Sequence, residues 1–174
     1  MPSDKPQKSA APLRVGIAGL GVVGGEVARQ ISHYGDTLAA VAGRDFRINV
    51  VSARSRDADR GFDIAGIDWA DKAAEIAERD DVDIVVEMIG GEEGVALDLV
   101  TRALETGKHV ITANKAMLAH HGTMLAGLAE ANNVGLMFEA AIAGGIPAVK
   151  SLREGLAGNR VSRVSARAGH RAGL

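Results

Sequence analysis

Apolar residues in this chain fall in short continuous runs separated by longer stretches with helical spacing, and that alternation predicts its architecture. Runs at 15–18, 38–42, 84–86, 110–112 and 135–138 read as strands. They are apolar at successive rather than alternate positions, as in strands covered on both faces of a parallel sheet. Stretches at 22–33, 70–78, 95–106 and 117–131 read as helices. Strand and helix in turn imply right-handed crossovers, so the predicted fold is α/β, a doubly wound parallel sheet of the Rossmann type. The segment 43–67 is rich in Arg, Asp and Gly without a clean period, which predicts an extended loop with short elements after the second strand.

The first strand runs directly into Gly19-x-Gly21-x-x-Gly24 and then into a helix. That context gives the glycines a physical role as a dinucleotide-binding turn. Gly19 permits the tight turn, Gly21 lets the backbone approach a pyrophosphate, and Gly24 lets the helix pack close to the sheet. Leu20, Val22 and Val23 complete the predicted phosphate loop, and the helix presents free N–H groups and a positive dipole end to the phosphates.

In an open α/β sheet, ligands collect beyond the carboxyl ends of the strands. The residues to interrogate are therefore 19–24, 43–47, 87–93, 113–115 and 139–145. An Asp or Glu after the second strand commonly holds a free ribose 2′-hydroxyl; this chain offers Gly43-Arg44 there. A small residue with a guanidinium suits a 2′-phosphate, so NADP is favoured over NAD. Asp45 keeps dual use open, and Arg44, Arg47, Arg54, Arg56 and Arg60 also read simply as the solvated face of a loop. Gly90 belongs to the cofactor-facing stretch after the third strand. Lys115, next to Asn114 beyond the fourth strand, is placed to orient a carbonyl oxygen or move a proton during hydride transfer. Glu139 is a candidate for a cation, together with backbone carbonyls of the glycine stretch that follows; a hydrogen-bonded structural carboxylate is the equal alternative. His120 and His121 are adjacent, so they do not share a helical face and read as surface residues. His109 reads as structural.

Composition narrows the picture. A chain of 174 residues with 47% apolar and 24% charged content fits one full soluble domain and part of another. A net charge of −2 gives no reason to expect nucleic acid or an anionic membrane as partner. The absence of cysteine excludes disulfides, thiolate metal sites and a cysteine nucleophile. No apolar run is long enough to span a bilayer, and residues 1–12 are polar with three prolines, which predicts a short disordered leader and a cytoplasmic location. After Glu139 the character changes to small residues, with Pro147 opening a helix to about residue 157 and a strand starting at Val161. The predicted organisation is a leader at 1–12, a dinucleotide-binding domain at 13–145 and the incomplete start of a second domain at 146–174.

Four segments together resemble the amino-terminal half of homoserine dehydrogenase: GIAGLGVVG at 16–24, VDIVVEMIGG at 82–91, TANK at 112–115 and FEAAIAGGIPAVK at 138–150. The likeness runs over about residues 13–164, and the last two motifs are more specific than the glycine fingerprint. It implies NAD(P)-dependent interconversion of L-homoserine and L-aspartate 4-semialdehyde in the aspartate pathway to threonine, methionine and isoleucine. By the resemblance Lys115 acts on the substrate hydroxyl or carbonyl, and Glu139 with the carbonyls of Ile142 and Gly144 sits near a monovalent-cation site such as one for sodium. A homo-oligomer is left open. Other NADP-dependent dehydrogenases of the same fold typically show Glu-Lys-Pro where this chain has Asn114-Lys115-Ala116. Residues 165–174 depart from the family and resemble a shifted reading frame, which predicts a truncated polypeptide with little or no activity alone. The competing reading is a non-catalytic dinucleotide-binding module or a decayed gene product.

Overall fold

A computed structural model of the chain describes residues 11–56, 58, 60–143 and 148–163. Six parallel strands form one sheet in the order β3-β2-β1-β4-β5-β6. They are β1 (Leu13–Ala18), β2 (Phe46–Ser52), β3 (Asp68–Trp69), β4 (Ile84–Glu87), β5 (His109–Thr112) and β6 (Leu136–Met137). The connecting helices are α1 (Val22–His33), α2 (Gly35–Ala42), α3 (Glu75–Glu78), α4 (Val95–Glu105) and α5 (Lys115–Ala131). Short helices α6 (Glu139–Ala143) and α7 (Ala148–Lys150) follow, the latter running into a π-helical turn at Ser151–Gly155.

Strand order reverses between β1 and β4, because the chain builds outward from β1 in one direction and resumes from β4 in the other. Crossovers of one hand then place α1 on one face and α3, α4 and α5 on the other. Ala18, Val50, Val85 and Val110 pack under Ile76, Leu99, Leu104 and Leu125 of the second set. Val15, Ile17, Val51 and Val86 pack under Ala28 and Leu20. Gly16 is required by this packing: a Cβ there would lie 2.4 Å from Cγ2 of Ile76.

One face is covered unevenly. Ile17, Val86, Ile111 and Met137 are register partners across β1, β4, β5 and β6. Their exposures rise from 0% and 3% to 38% and 55%, since α1 shields only the side of the sheet near β1.

At the amino ends of the strands, Arg14 clamps Asp83. Its Nη2 and Nε donate at 2.6 and 3.0 Å, and its backbone N–H adds a third bond at 2.9 Å. These bonds to the charged form hold the Asp83 carboxyl down at about 2.

The second strand differs from expectation. Residues 38–42, read as a strand, form the end of α2, which closes at Gly43 with φ 71° in the left-handed region. The strand is Phe46–Ser52, inside the segment expected to be a loop. The helix expected at 70–78 is confined to Glu75–Glu78. A helix does follow position 147, but Pro147 itself lies outside the described residues. Residues 161–163 form no strand, and the chain beyond them lies outside the described residues. Among the described residues no helix is long and apolar enough to cross a membrane.

Candidate functional site: the crevice between β1 and β4

The strand-order reversal opens a crevice at the carboxyl ends of β1 and β4, where the glycine turn meets the loop after β4. The turn is pinned from both sides. Gly19 N–H donates to the Ser52 carbonyl at the end of β2, and Met88 N–H donates to the Ala18 carbonyl, each at 2.8 Å. Gly19 has φ 94°, and a Cβ on it would lie 2.5 Å from the Met88 carbonyl oxygen. Gly24 is tighter still, with its Cβ position 1.8 Å from the Gly19 carbonyl oxygen. Gly21 is different: nothing lies within 4 Å of its Cβ position. Gly21 is also the N-cap of α1 and no side chain caps the helix, so the N–H groups of its first turn face the same open space.

A cleft of about 780 Å³ extends from this turn toward the end of β2, lined by Gly19, Gly21, Arg54, Arg60, Met88 and Val95 among others. Leu20 turns its side chain into the core and offers only backbone, whereas Val22 is 93% exposed and Val23 also projects outward. Gly90 has φ 80° with open space at its Cβ position, compatible with close approach of a ligand to its backbone.

Arg44 is a correction. It precedes β2 instead of following it, so it lies about 20 Å from the crevice at the opposite end of the strands. Its guanidinium donates to the Ala11 carbonyl at 2.6 and 3.0 Å. Asp45 shares that end, where its carbonyl accepts from Leu13 N–H. The residues that follow β2 are Ala53, Arg54, Ser55 and Arg56. Arg60 stitches their loop by donating to the carbonyls of Ser55, Arg56 and Ala58, and the Arg56 and Arg60 guanidiniums each sit 5.8 Å from the Trp69 ring centroid. Arg54 remains exposed at the cleft without a hydrogen bond or ion pair among the described residues.

The Asn114 side chain supports the crevice from below. It is 7% exposed, its Oδ1 caps α5 by accepting from Met117 N–H at 3.1 Å, and its Nδ2 donates to the Gly91 carbonyl at 2.6 Å. Lys115 is the exposed first residue of α5, and its ammonium has no ion pair among the described residues.

The cation expectation fares differently. Both Glu139 oxygens accept backbone amides, from Val149 and Lys150 at 2.9 Å each. Ile142 is exposed and Gly144 lies outside the described residues. The Glu139 side chain thus bridges α6 to α7 through backbone amides. Among the described residues no three His, Asp or Glu side chains converge to hold a metal.

Sequence reasoning gave no role to two residues that matter here. Arg54 was discoverable from the apolar–polar alternation Phe46, Arg47, Ile48, Asn49, Val50, which is the period of a strand. Glu87, wholly buried at the end of β4, had no sequence signal beyond an acid closing an apolar run.

A parallel sheet in this order, with a glycine turn and an uncapped helix at its reversal point, defines a Rossmann-type dinucleotide-binding domain. Residues 19–139 match the family described as homoserine dehydrogenase, NAD binding domain, and the chain belongs to that family. Homoserine dehydrogenase from Neisseria gonorrhoeae is 41% identical over 154 residues, covering 88% of this chain and 35% of the relative. That from Corynebacterium glutamicum is 42% identical over 164 residues, covering 94% and 36%. The crystal structure of a homoserine dehydrogenase from Thiobacillus denitrificans superimposes with a TM-score of 0.77 at 40% identity, over 86% of this chain and 34% of that one. The chain thus spans about a third of the length of the relatives it matches.

Proposed function

We propose that this chain binds NADP(H) in the crevice between β1 and β4, and that it serves the interconversion of L-homoserine and L-aspartate 4-semialdehyde in the cytoplasm. The observation that carries the binding is the contrast within the glycine turn. Gly19 and Gly24 are closed by contact, while Gly21 faces open space at an uncapped helix end, the one place where a phosphate needs room. The first-turn N–H groups of α1 would hold the pyrophosphate. Arg54, exposed at the end of β2 and without an ion pair among the described residues, would pair with a 2′-phosphate.

The bound dinucleotide supplies the hydride acceptor or donor. Lys115 is the residue proposed to orient the substrate oxygen and to hold or move its proton. Its placement supports a role other than stability, because a cation in the first turn of a helix opposes the dipole there. Homologues named homoserine dehydrogenase support the substrate assignment. The monovalent cation proposed beside Glu139 would share its carboxylate with the amide protons of Val149 and Lys150.

Fluorescence titration with NADPH and NADH tests this reading. Charge-assisted bonds to a 2′-phosphate are worth about 1.5–3 kcal/mol, so NADPH is expected to bind roughly ten- to a hundredfold more tightly. Arg54→Ala should erase most of that preference. Equal affinities in the parent would remove the NADP assignment, and no binding of either would remove the proposal.

A further inference from the structure

Glu87 ends β4 with 0% exposure, and nothing proposed so far uses its carboxylate. Burying an ionised carboxyl is costly unless hydrogen bonds replace its water. Here three donors do so, two from the loop after β4 and one from the end of β5. Oε1 accepts the N–H groups of Ile89 and Gly90 at 2.7 and 3.0 Å. Oε2 accepts the Thr112 hydroxyl at 2.5 Å, and the Thr112 oxygen in turn accepts Asn114 N–H at 3.0 Å. Asn114 closes the circuit by donating from Nδ2 to the Gly91 carbonyl at 2.6 Å.

This ring of bonds joins the loop after β4, with Gly90 and Gly91 at φ 80° and 91°, to the turn that launches α5 on Lys115. A packing role alone would be met more cheaply by an apolar side chain of similar size. We propose that Glu87 is a positioning residue whose carboxylate locks the 89–91 loop to the Asn114–Lys115 turn, so that the half of the crevice on the β4–β5 side is shaped before a dinucleotide arrives. This rests on the dinucleotide reading above. On that reading the adenosine half lies toward β2 and the nicotinamide half toward β4 and β5.

Glu87→Gln keeps the shape and one acceptor oxygen, but it turns an NH2 toward a hydroxyl that already accepts from Asn114 and leaves the Thr112 proton without an acceptor. Thr112→Val cuts the same link from the other side, and Thr112→Ser restores the hydroxyl. Each variant would be titrated with NADPH and with 2′,5′-ADP, a probe of the adenosine half alone, and its thermal unfolding followed. With the link cut, only part of the population keeps the loop in its dinucleotide-ready shape and apparent affinity falls by that fraction, so Glu87→Gln and Thr112→Val should each weaken NADPH about tenfold. Both should leave 2′,5′-ADP within twofold of the parent, and Thr112→Ser should bind NADPH like the parent. NADPH affinity unchanged in both disrupting variants overturns the positioning role. So does a parallel loss of both ligands with a lowered Tm, which would make Glu87 a general stabiliser. A parent that binds neither ligand overturns the dinucleotide reading itself, and the positioning role with it.

Discussion

Gly21 and Gly24 lie three residues apart in one turn, yet the structure sets opposite expectations for a side chain at each. A Cβ on Gly24 would sit 1.8 Å from the Gly19 carbonyl oxygen and 3.2 Å from Cβ of Met88. A comfortable carbon–oxygen contact is about 3.3 Å, so α1 would have to withdraw by roughly 1.5 Å. Gly19 cannot yield, because it is wedged on the Met88 backbone at φ 94°. Overpacking of this kind costs about 1–3 kcal/mol, and each kcal/mol is worth roughly 2–4 °C in a domain of this size. Gly24→Ala is therefore expected to lower Tm by roughly 2–12 °C. Gly21 has φ −74° and ψ −159°, which any residue adopts, and its added atoms meet nothing. Gly21→Val should hold Tm within about 2 °C. The valine methyls would nevertheless fill the space a pyrophosphate needs, so NADPH affinity should fall by roughly a hundredfold or more. Circular dichroism melts and NADPH titrations of both variants decide the matter. A Gly24→Ala protein melting with the parent, or a Gly21→Val protein binding NADPH normally, refutes the reasoning.

Arg44→Ala should leave the NADPH to NADH preference unchanged, since Arg44 lies at the far end of the sheet; a lost preference in the titration would contradict that placement. Asp83 has a folded pKa below its ordinary value of 3.8, so its stabilisation is fully present above that value and is lost as pH falls through about 2. Both partners are about a third exposed, which discounts the contribution to about 1 kcal/mol. Asp83→Asn should remove that much at neutral pH in urea unfolding and flatten the acid limb; an unchanged acid limb would show the clamp contributes nothing. Lys115→Met should abolish any L-homoserine-dependent reduction of NADP while raising stability by about 0.3–1 kcal/mol, because it removes a cation from a helix N-terminus. A variant that keeps its turnover, or that is less stable than the parent, would count against the role given to Lys115.

What the sequence revealed and what it hid divide on physical lines. β1, α1 and α4 were legible to within a residue or two, because the helical patterns are long and the glycine turn fixes where strand becomes helix. The run at 38–42 misled because a short apolar stretch has no period of its own: Leu38, Ala39, Ala40, Val41 and Ala42 suit a helix closed by Gly43 as well as a buried strand. That single misplacement moved the predicted phosphate ligand from Arg54 to Arg44. The capping task of Asn114 was legible too, since an Asn directly before a helix is an N-cap signal. Lys115 stood out because its position agrees with strand-end chemistry and conflicts with the helix dipole. The Glu87 ring was beyond reach, since it joins residues 25 apart in sequence through a register that only the assembled sheet supplies.

The uneven cover across Ile17, Val86, Ile111 and Met137 gives the domain a gradient of local opening. β1 lies at the centre, bonded on both sides and shielded on both faces, so its amides exchange only when the whole domain unfolds. β6 contributes two residues, pairs among the described residues with β5 alone, and leaves Met137 more than half in water, so it is expected to fray first. The glycine turn hangs from the rigid end of that gradient, while Lys115 and Glu139 stand beside its soft end. Warming the protein should therefore blur the β5–β6 side of the crevice well before it disturbs the glycine turn.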